Sequence, residues 1–268
     1  MPPPPGPRRR ALLTFFAIVF VATWLLQLPA LLVQHGVLTG PVDPYLPPVV
    51  VGYFVPVIAA VVLSLPRLGG DGVRALLRPF GARVSAGWAL LALAHPAALL
   101  LAGMTVARLV AGPQAGLVFY PPGAAQVAAM LVIPFNEQIP WRGFAFPPLE
   151  RRLGPLGASL AVGTGWGLFH LQKQSLLGAG IALDVALWTL LLMVAGTVVF
   201  TWFHRRTGSM LGAVLANAGI YLDNPTQALP GNATPLAVLA LGYTAVAIVL
   251  VVADRAVWRR REDVHSTS

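Results

Sequence analysis

The chain has no cysteine, a single lysine and few charged residues of any kind. Without cysteine it can form neither a disulfide framework nor a thiolate nucleophile. Charged residues make up 10% of the 268 residues, whereas a soluble domain of ordinary composition carries about 25%. Hydrophobic residues make up 57%, and the mean hydropathy is +0.75. The composition therefore predicts an all-α, polytopic membrane protein with no room for a sizeable soluble domain.

The apolar residues fall into segments of the length that a membrane helix needs. Eight such segments can be drawn, roughly at 11–33, 48–65, 86–111, 124–146, 156–172, 181–203, 208–223 and 233–254. They predict eight transmembrane helices in one helical bundle. The net charge of +9 is spread between apolar runs rather than along one face, which argues against nucleic acid as a partner. The lipid bilayer is the predicted partner instead.

The basic residues predict the orientation of the bundle. Of the 18 basic residues, 15 lie on one side of the eight-span arrangement. By the positive-inside rule this side is cytoplasmic, and it includes both termini. The first apolar run is about twice as long as the core of a signal peptide and predicts an uncleaved first span. The expected location is the plasma membrane of a bacterium.

A few polar side chains interrupt the apolar segments. Burying such a group costs several kcal/mol unless it is paired, so each is a functional candidate. The stretch PFNEQIPWRG at 134–143 supplies three of them, and later segments supply the rest: Glu137, Gln138, Arg142, His170, Asn217 and Tyr221. At a rise of about 1.5 Å per residue, Glu137, His170 and Asn217 are expected in one layer near mid-membrane. Pro140 is expected to kink the span that carries Glu137.

Three short motifs in this region resemble the CPBP intramembrane proteases, also called the Abi or type II CAAX prenyl endopeptidase family. Glu137-Gln138-Ile139-Pro140-Trp141-Arg142-Gly143 resembles the family's Glu-Glu-x-x-x-Arg motif, and Trp166-Gly167-Leu168-Phe169-His170 resembles its aromatic-x-x-x-His motif. SMLGAVLANAGIY resembles the third motif, His-x-x-x-Asn, with Asn217 and Tyr221 at its two polar positions. The resemblance covers roughly residues 124–225.

The resemblance implies an intramembrane endopeptidase that cleaves a membrane-associated peptide or protein. It implies Glu137, His170, Arg142 and Asn217 as catalytic residues, with Gln138, Tyr221 and Trp166 as accessory residues. The implied domains are a cytoplasmic tail at 1–10, a three-helix part at 11–123, a CPBP-like catalytic core at 124–225, a last span at 226–254 and a cytoplasmic tail at 255–268.

The chain departs from the family pattern at two positions, since Gln138 replaces a glutamate and Asn217 replaces a histidine. The resemblance leaves the cofactor open between none and a divalent metal such as zinc held by Glu137, His170 and Asn217. An amide is a poor zinc ligand but a good hydrogen-bond donor. Asn217 therefore disfavours zinc and favours Asn217 and Tyr221 as donors to an oxyanion.

Two other functions remain open on the sequence. The altered motifs fit a family member that has lost catalysis and acts as a membrane binding, immunity or scaffold protein. A small transporter is the third alternative, although no inverted repeat or pair of broken helices is visible. Each polar residue also has a structural interpretation: an ion pair for Glu137 and Arg142, packing for His170, Trp166 and Tyr221, and interhelical hydrogen bonding for Asn217.

Overall fold

A computed structural model describes residues 9–68, 70–111, 123–174, 183–222 and 234–259. These ranges are mostly helical and contain no strand. The α-helices are α1 (Arg9–Gln34), α2 (Leu46–Leu68), α3 (Gly70–Leu77), α4 (Ala86–Ala111), α5 (Ala124–Gln138), α6 (Phe146–Gln174), α7 (Leu183–Thr207), α8 (Met210–Leu222), α9 (Thr234–Ala253) and α10 (Arg255–Trp258). A π-helical segment, Ile139–Ala145, joins α5 to α6. The predicted all-helical class is confirmed.

Five helices of the described ranges are long and apolar enough to cross a membrane. They are Arg10–Gln34, Asp43–Leu65, Ala86–Val106, Leu183–Thr207 and Leu236–Ala253. α8 contains a shorter apolar stretch, Met210–Ile220. The chain is therefore an integral membrane protein, while the count of eight spans stays a prediction.

Side-chain hydrogen bonds join α1 to α2 within their apolar surfaces. Pro56 has no backbone N–H, so the carbonyl of Gly52 one turn earlier lacks its helical donor. Thr23 Oγ1 donates to this carbonyl at 3.2 Å, and Gln27 Nε2 donates to the carbonyl of Val49 at 3.4 Å. Two buried polar residues of α1 thus satisfy backbone groups of α2.

α6 and α7 pack closely because glycine lines the surface of α6. A Cβ placed on Gly163 would lie 2.7 Å from the Cα of Val194, and one on Gly167 would lie 2.7 Å from Leu190 Cδ1. Small residues four apart are a common way for membrane helices to approach each other. A bond of 2.9 Å from Ser159 Oγ to Thr201 Oγ1 adds a polar contact between the same helices.

The helix that follows the π-helical segment runs further than the prolines suggest. The fourth span is expected to stop near Pro147, but helix continues to Gly154, whose φ of 73° and ψ of 172° divide α6 into two pieces. The prolines Pro147 and Pro148 lie in the first turn after the π-helical segment, where a missing N–H is tolerated. Gly154 makes the break because a side chain would be strained at this φ.

His95 on α4 is held by hydrogen bonds and has a structural role. Pro96 removes the helical donor of the Ala92 carbonyl. His95 Nδ1 lies 2.7 Å from this carbonyl oxygen, and His95 Nε2 lies 3.0 Å from the hydroxyl of Tyr243 on α9. These contacts account for a polar side chain in an otherwise apolar helix.

Candidate active site

Glu137 lies at the end of α5, where three helices bring polar side chains together. Its side chain is buried, with 8% of the residue exposed. Asn217 on α8 donates from Nδ2 to Glu137 Oε2 at 2.7 Å. His170 on α6 places Nε2 3.3 Å from Glu137 Oε1. The structure therefore brings Glu137, His170 and Asn217 together, with a partner at each carboxylate oxygen.

The contacts of His170 indicate which of its nitrogens carries a proton. Nδ1 lies 3.0 Å from the carbonyl oxygen of Trp166, one turn earlier on α6. A carbonyl oxygen only accepts, so Nδ1 is the donor in this bond. In a neutral imidazole Nε2 is then an acceptor, and it faces a carboxylate oxygen that is also an acceptor. The close approach of Nε2 to Glu137 therefore calls for a shared proton or a bridging donor.

Arg142 lies within the π-helical segment and is the largest charged group in the interior of the described ranges, with 1% of the residue exposed. Its NH1 donates to Gln138 Oε1, and its NH2 donates to the backbone carbonyl of Thr197 on α7 at 2.9 Å. The guanidinium carbon lies 5.1 Å from the centre of the Phe200 ring, which adds a cation–π contact. One of its three nitrogens thus ties the π-helical segment to the end of α5, and a second ties it to α7.

The π-helical geometry follows from the sequence around Pro140. The missing N–H of Pro140 interrupts the i→i−4 pattern, and Phe146 N–H bonds the carbonyl of Trp141 five residues earlier. The wider turn keeps Gln138 and Arg142 within hydrogen-bonding reach while both are buried. The disturbance that the sequence predicts at Pro140 is therefore a π-helical segment.

Of the three predicted accessory residues, the structure describes the side chains of two. Trp166 is buried, with 2% exposed, and its ring meets the His170 ring edge-on at 5.4 Å between centroids. Gln138 is also buried and accepts from Arg142. Tyr221 belongs to α8, but its side chain lies outside what the structure describes.

The residues at the site do not fit a zinc centre. A structural or catalytic zinc ion takes at least three protein ligands from thiolate, imidazole and carboxylate groups. The described ranges contain no cluster of three such side chains. Glu137 and His170 supply two, and Asn217 directs its amide nitrogen, which is not a ligand atom, at the carboxylate.

Sequence reasoning missed two residues of the site, both on α7. The backbone carbonyl of Thr197 accepts from Arg142, and the ring of Phe200 lies under its guanidinium. A backbone acceptor and a common apolar ring leave no motif. The threonines of α7 were a weak signal, since Thr189, Thr197 and Thr201 are polar residues in an apolar helix and all three are buried.

The described part of the chain is thus an all-helical membrane protein in which a buried carboxylate, an imidazole and an amide meet from three helices. Residues 121–222 match the family model described as type II CAAX prenyl endopeptidase Rce1-like. This segment contains all three motifs, and the match supports membership of the CPBP family. No curated protein matches the chain.

Proposed function

We propose that the chain is an intramembrane endopeptidase that hydrolyses a peptide bond of a membrane-associated protein or peptide. The observation that carries the proposal is the geometry of Glu137, with Asn217 at 2.7 Å from one oxygen and His170 at 3.3 Å from the other. A carboxylate acts as a general base when it is held within reach of the proton that it takes, and a neighbouring imidazole can then pass that proton on. The match to a family of endopeptidases supports the same reaction class.

The reaction follows from the roles that these groups can fill. Glu137 takes a proton from a water molecule, and the water oxygen forms a bond to the carbonyl carbon of the substrate. The carbonyl electron pair moves onto its oxygen, which becomes an oxyanion. When this intermediate collapses, the C–N bond breaks, and the proton on Glu137 moves to His170 Nε2 and from there to the leaving amine nitrogen.

Asn217 has two functions in this mechanism. One N–H of its amide holds Glu137 Oε2 and so orients the base. Because an amide carries two N–H groups, the other can serve the oxyanion, with Tyr221 as a second donor. Arg142 is a positioning residue, since its hydrogen bonds fix the segment next to Glu137 against α7.

The proposal includes eight spans, with both termini on the cytoplasmic side of a bacterial plasma membrane. The division of α6 at Gly154 supports this count, because the piece before it continues α5 and the π-helical segment while the piece after it is a separate helix. Together with α8 and the five long helices, these two pieces would make the eight crossings that we propose. The basic residues between the segments support the orientation.

A catalytically lost family member is the second candidate function, and a specific observation favours it. Two motif positions are altered, and Gln138 and Asn217 are both held in hydrogen bonds that a merely structural cluster would also make. In that case the chain would act by binding a membrane partner.

The two functions are separated by a cleavage assay. The purified chain in liposomes is incubated with a farnesylated CAAX peptide, the same peptide without the prenyl group, and a solubilised membrane-protein mixture, and new termini are measured by mass spectrometry. Glu137→Gln should lower the cleavage rate by about 10²–10⁴-fold, because it removes the general base. Asp184→Asn is the matched control, since Asp184 is an exposed carboxylate at the start of α7.

Three results would count against the proposal. Equal product from wild type and Glu137→Gln would contradict Glu137 as the base. Lack of any product with all three probes would favour the binding function. Loss of activity with a chelator and its rescue by zinc would contradict a mechanism without metal.

A further inference from the structure

Four buried polar atoms beside the candidate active site have no hydrogen-bond partner among the described residues. They are Gln138 Nε2, Arg142 Nε, Trp166 Nε1 and Thr197 Oγ1. Buried polar groups in proteins are nearly always paired with protein or with ordered water, and each exception calls for an explanation. Four exceptions in one cluster call for a common explanation.

The four residues are joined by contacts in the structure. Arg142 bonds Gln138 through NH1 and the Thr197 carbonyl through NH2. Trp166 is linked to the same group through Phe200, whose ring lies 6.2 Å from Trp166 and 5.1 Å from the Arg142 guanidinium. The cluster thus spans α5, α6, α7 and the π-helical segment.

The chemistry of the four atoms selects the ligand. Amide, guanidinium and indole nitrogens carry N–H groups and cannot accept, and the threonine hydroxyl can donate. The ligand must therefore offer lone pairs in an enclosed space. A buried water molecule accepts two hydrogen bonds and typically makes about three with otherwise unsatisfied groups.

The protons of such a water need an acceptor in turn, and the carboxylate of Glu137 is the candidate. Glu137 precedes Gln138 in the chain, and its Oε1 lies 3.3 Å from His170, whose ring touches Trp166 at 5.4 Å between centroids. Within the cluster, Gln138 Oε1 already accepts one hydrogen bond, from Arg142, and the Thr197 carbonyl accepts two, from Arg142 and Thr201.

We propose that Gln138, Arg142, Trp166 and Thr197 form a buried water site that borders the Glu137–His170 pair and feeds the hydrolytic reaction. The inference rests on the proposed function for its role in catalysis, but the water site itself does not depend on activity. It gives Gln138 a function that a glutamate at this position could not fill in the same way, because the amide adds a donor where a carboxylate has none. Trp166 and Thr197 become positioning residues.

Radiolytic labelling in H₂¹⁸O tests the water site without an activity assay. A hydroxyl radical formed from a bound water labels the side chain beside it, even where bulk solvent has no access. We expect ¹⁸O on Trp166 in the full chain in detergent. Trp141 is the matched control, because it is equally buried, with 1% exposed, and lies among the rings of Phe15, Phe16 and Phe169. Protection of Trp166 to the level of Trp141 would overturn the proposal.

Two near-isosteric variants provide a second test. Trp166→Phe and Thr197→Val each remove one donor while keeping most of the side chain. If the donors bind water, both variants should melt at or below the wild-type temperature. If the donors are truly unpaired, their removal relieves a buried unsatisfied group and should raise the melting temperature of both, which would overturn the proposal.

The catalytic role is tested separately from the site. With a cleaved probe in hand, Trp166→Phe should lower kcat by about tenfold with little change in KM, as expected for one lost hydrogen bond to a reacting water. An unchanged kcat in Trp166→Phe, while Trp166 of the wild type is labelled, would overturn the feeding role. Failure of the proposed function would appear differently, as labelling of Trp166 in a chain that cleaves no probe.

Discussion

The close approach of α6 to α7 at Gly163 makes a sharp prediction for the substitution Gly163→Ala. The new Cβ would lie 2.7 Å from the Cα of Val194 and 3.1 Å from the carbonyl oxygen of Met193. Both contacts are to backbone, so no side-chain rotation relieves them. Ordinary contact for a Cβ begins at 3.4 Å, so the helices must separate by about 0.7 Å.

This separation should affect both stability and activity. Overpacking of this kind costs about 1–3 kcal/mol, which corresponds to a fall in melting temperature on the order of 5 °C for a chain of this size. His170 lies seven residues further along α6, about 10 Å away, and a displacement approaching 1 Å in a catalytic group can cost about 100-fold in rate. His170 lies 3.3 Å from Glu137, so little displacement can be tolerated.

Two measurements check the reasoning, namely thermal unfolding in detergent and the cleavage rate of a probe that the wild type accepts. Gly87→Ala is the control, because a Cβ at Gly87 on α4 meets nothing within 4 Å and should leave both values near wild type. A Gly163→Ala variant that melts and cleaves like the wild type would refute the claim that the α6–α7 contact sets the position of His170.

Two further predictions concern the ends of the helices. Gly154→Ala should lower stability by about 1–3 kcal/mol, measured by thermal unfolding, because φ of 73° with ψ of 172° is a region that only glycine adopts without strain; an unchanged melting temperature would contradict this. At the end of α9, burial raises the pKa of Asp254, but hydrogen bonds from Arg206 and Trp202 and the charge of Arg206 outweigh it, so the pKa lies below its usual value. Asp254 therefore stabilises the fold above the unfolded-state pKa of about 3.9, and this contribution is lost as the pH falls through the folded-state pKa. Acid should lower the melting temperature of the wild type more than that of Asp254→Asn, and equal slopes would contradict the linkage.

The sequence could predict which residues meet but not how the backbone delivers them. Glu137, His170 and Asn217 stand out because a polar residue in an apolar run is costly, and helical rise alone puts them at similar depth. From the sequence, Pro140 predicts only that the helix is disturbed at this point, and it does not predict a π-helical segment. Whether the chain bends, widens or ends there depends on contacts with α7, to which Arg142 is bonded.

The end of the fourth span shows the same limit. Pro147 is the more obvious helix breaker, yet the helix passes it and breaks at Gly154. Proline disrupts a helix through the donor that it removes, and the π-helical segment has already interrupted the hydrogen-bond pattern there. The partners of Arg142 were equally hidden, because a backbone carbonyl such as that of Thr197 exists at every residue and becomes an acceptor only through packing.

The hydrogen bond from Thr23 of α1 to the backbone of α2 has a consequence for how the protein is inserted into the membrane. The Gly52 carbonyl, freed by Pro56, finds its donor in Thr23 of α1 rather than in its own helix. A lone α2 entering the bilayer would expose this carbonyl to hydrocarbon, at a cost of several kcal/mol. We therefore expect α1 and α2 to leave the translocon together as a helical hairpin, in which α1 supplies the hydrogen-bond donor that α2 lacks. Equal insertion of α2 from fragments with Thr23 and with Thr23→Val would argue against that order of assembly.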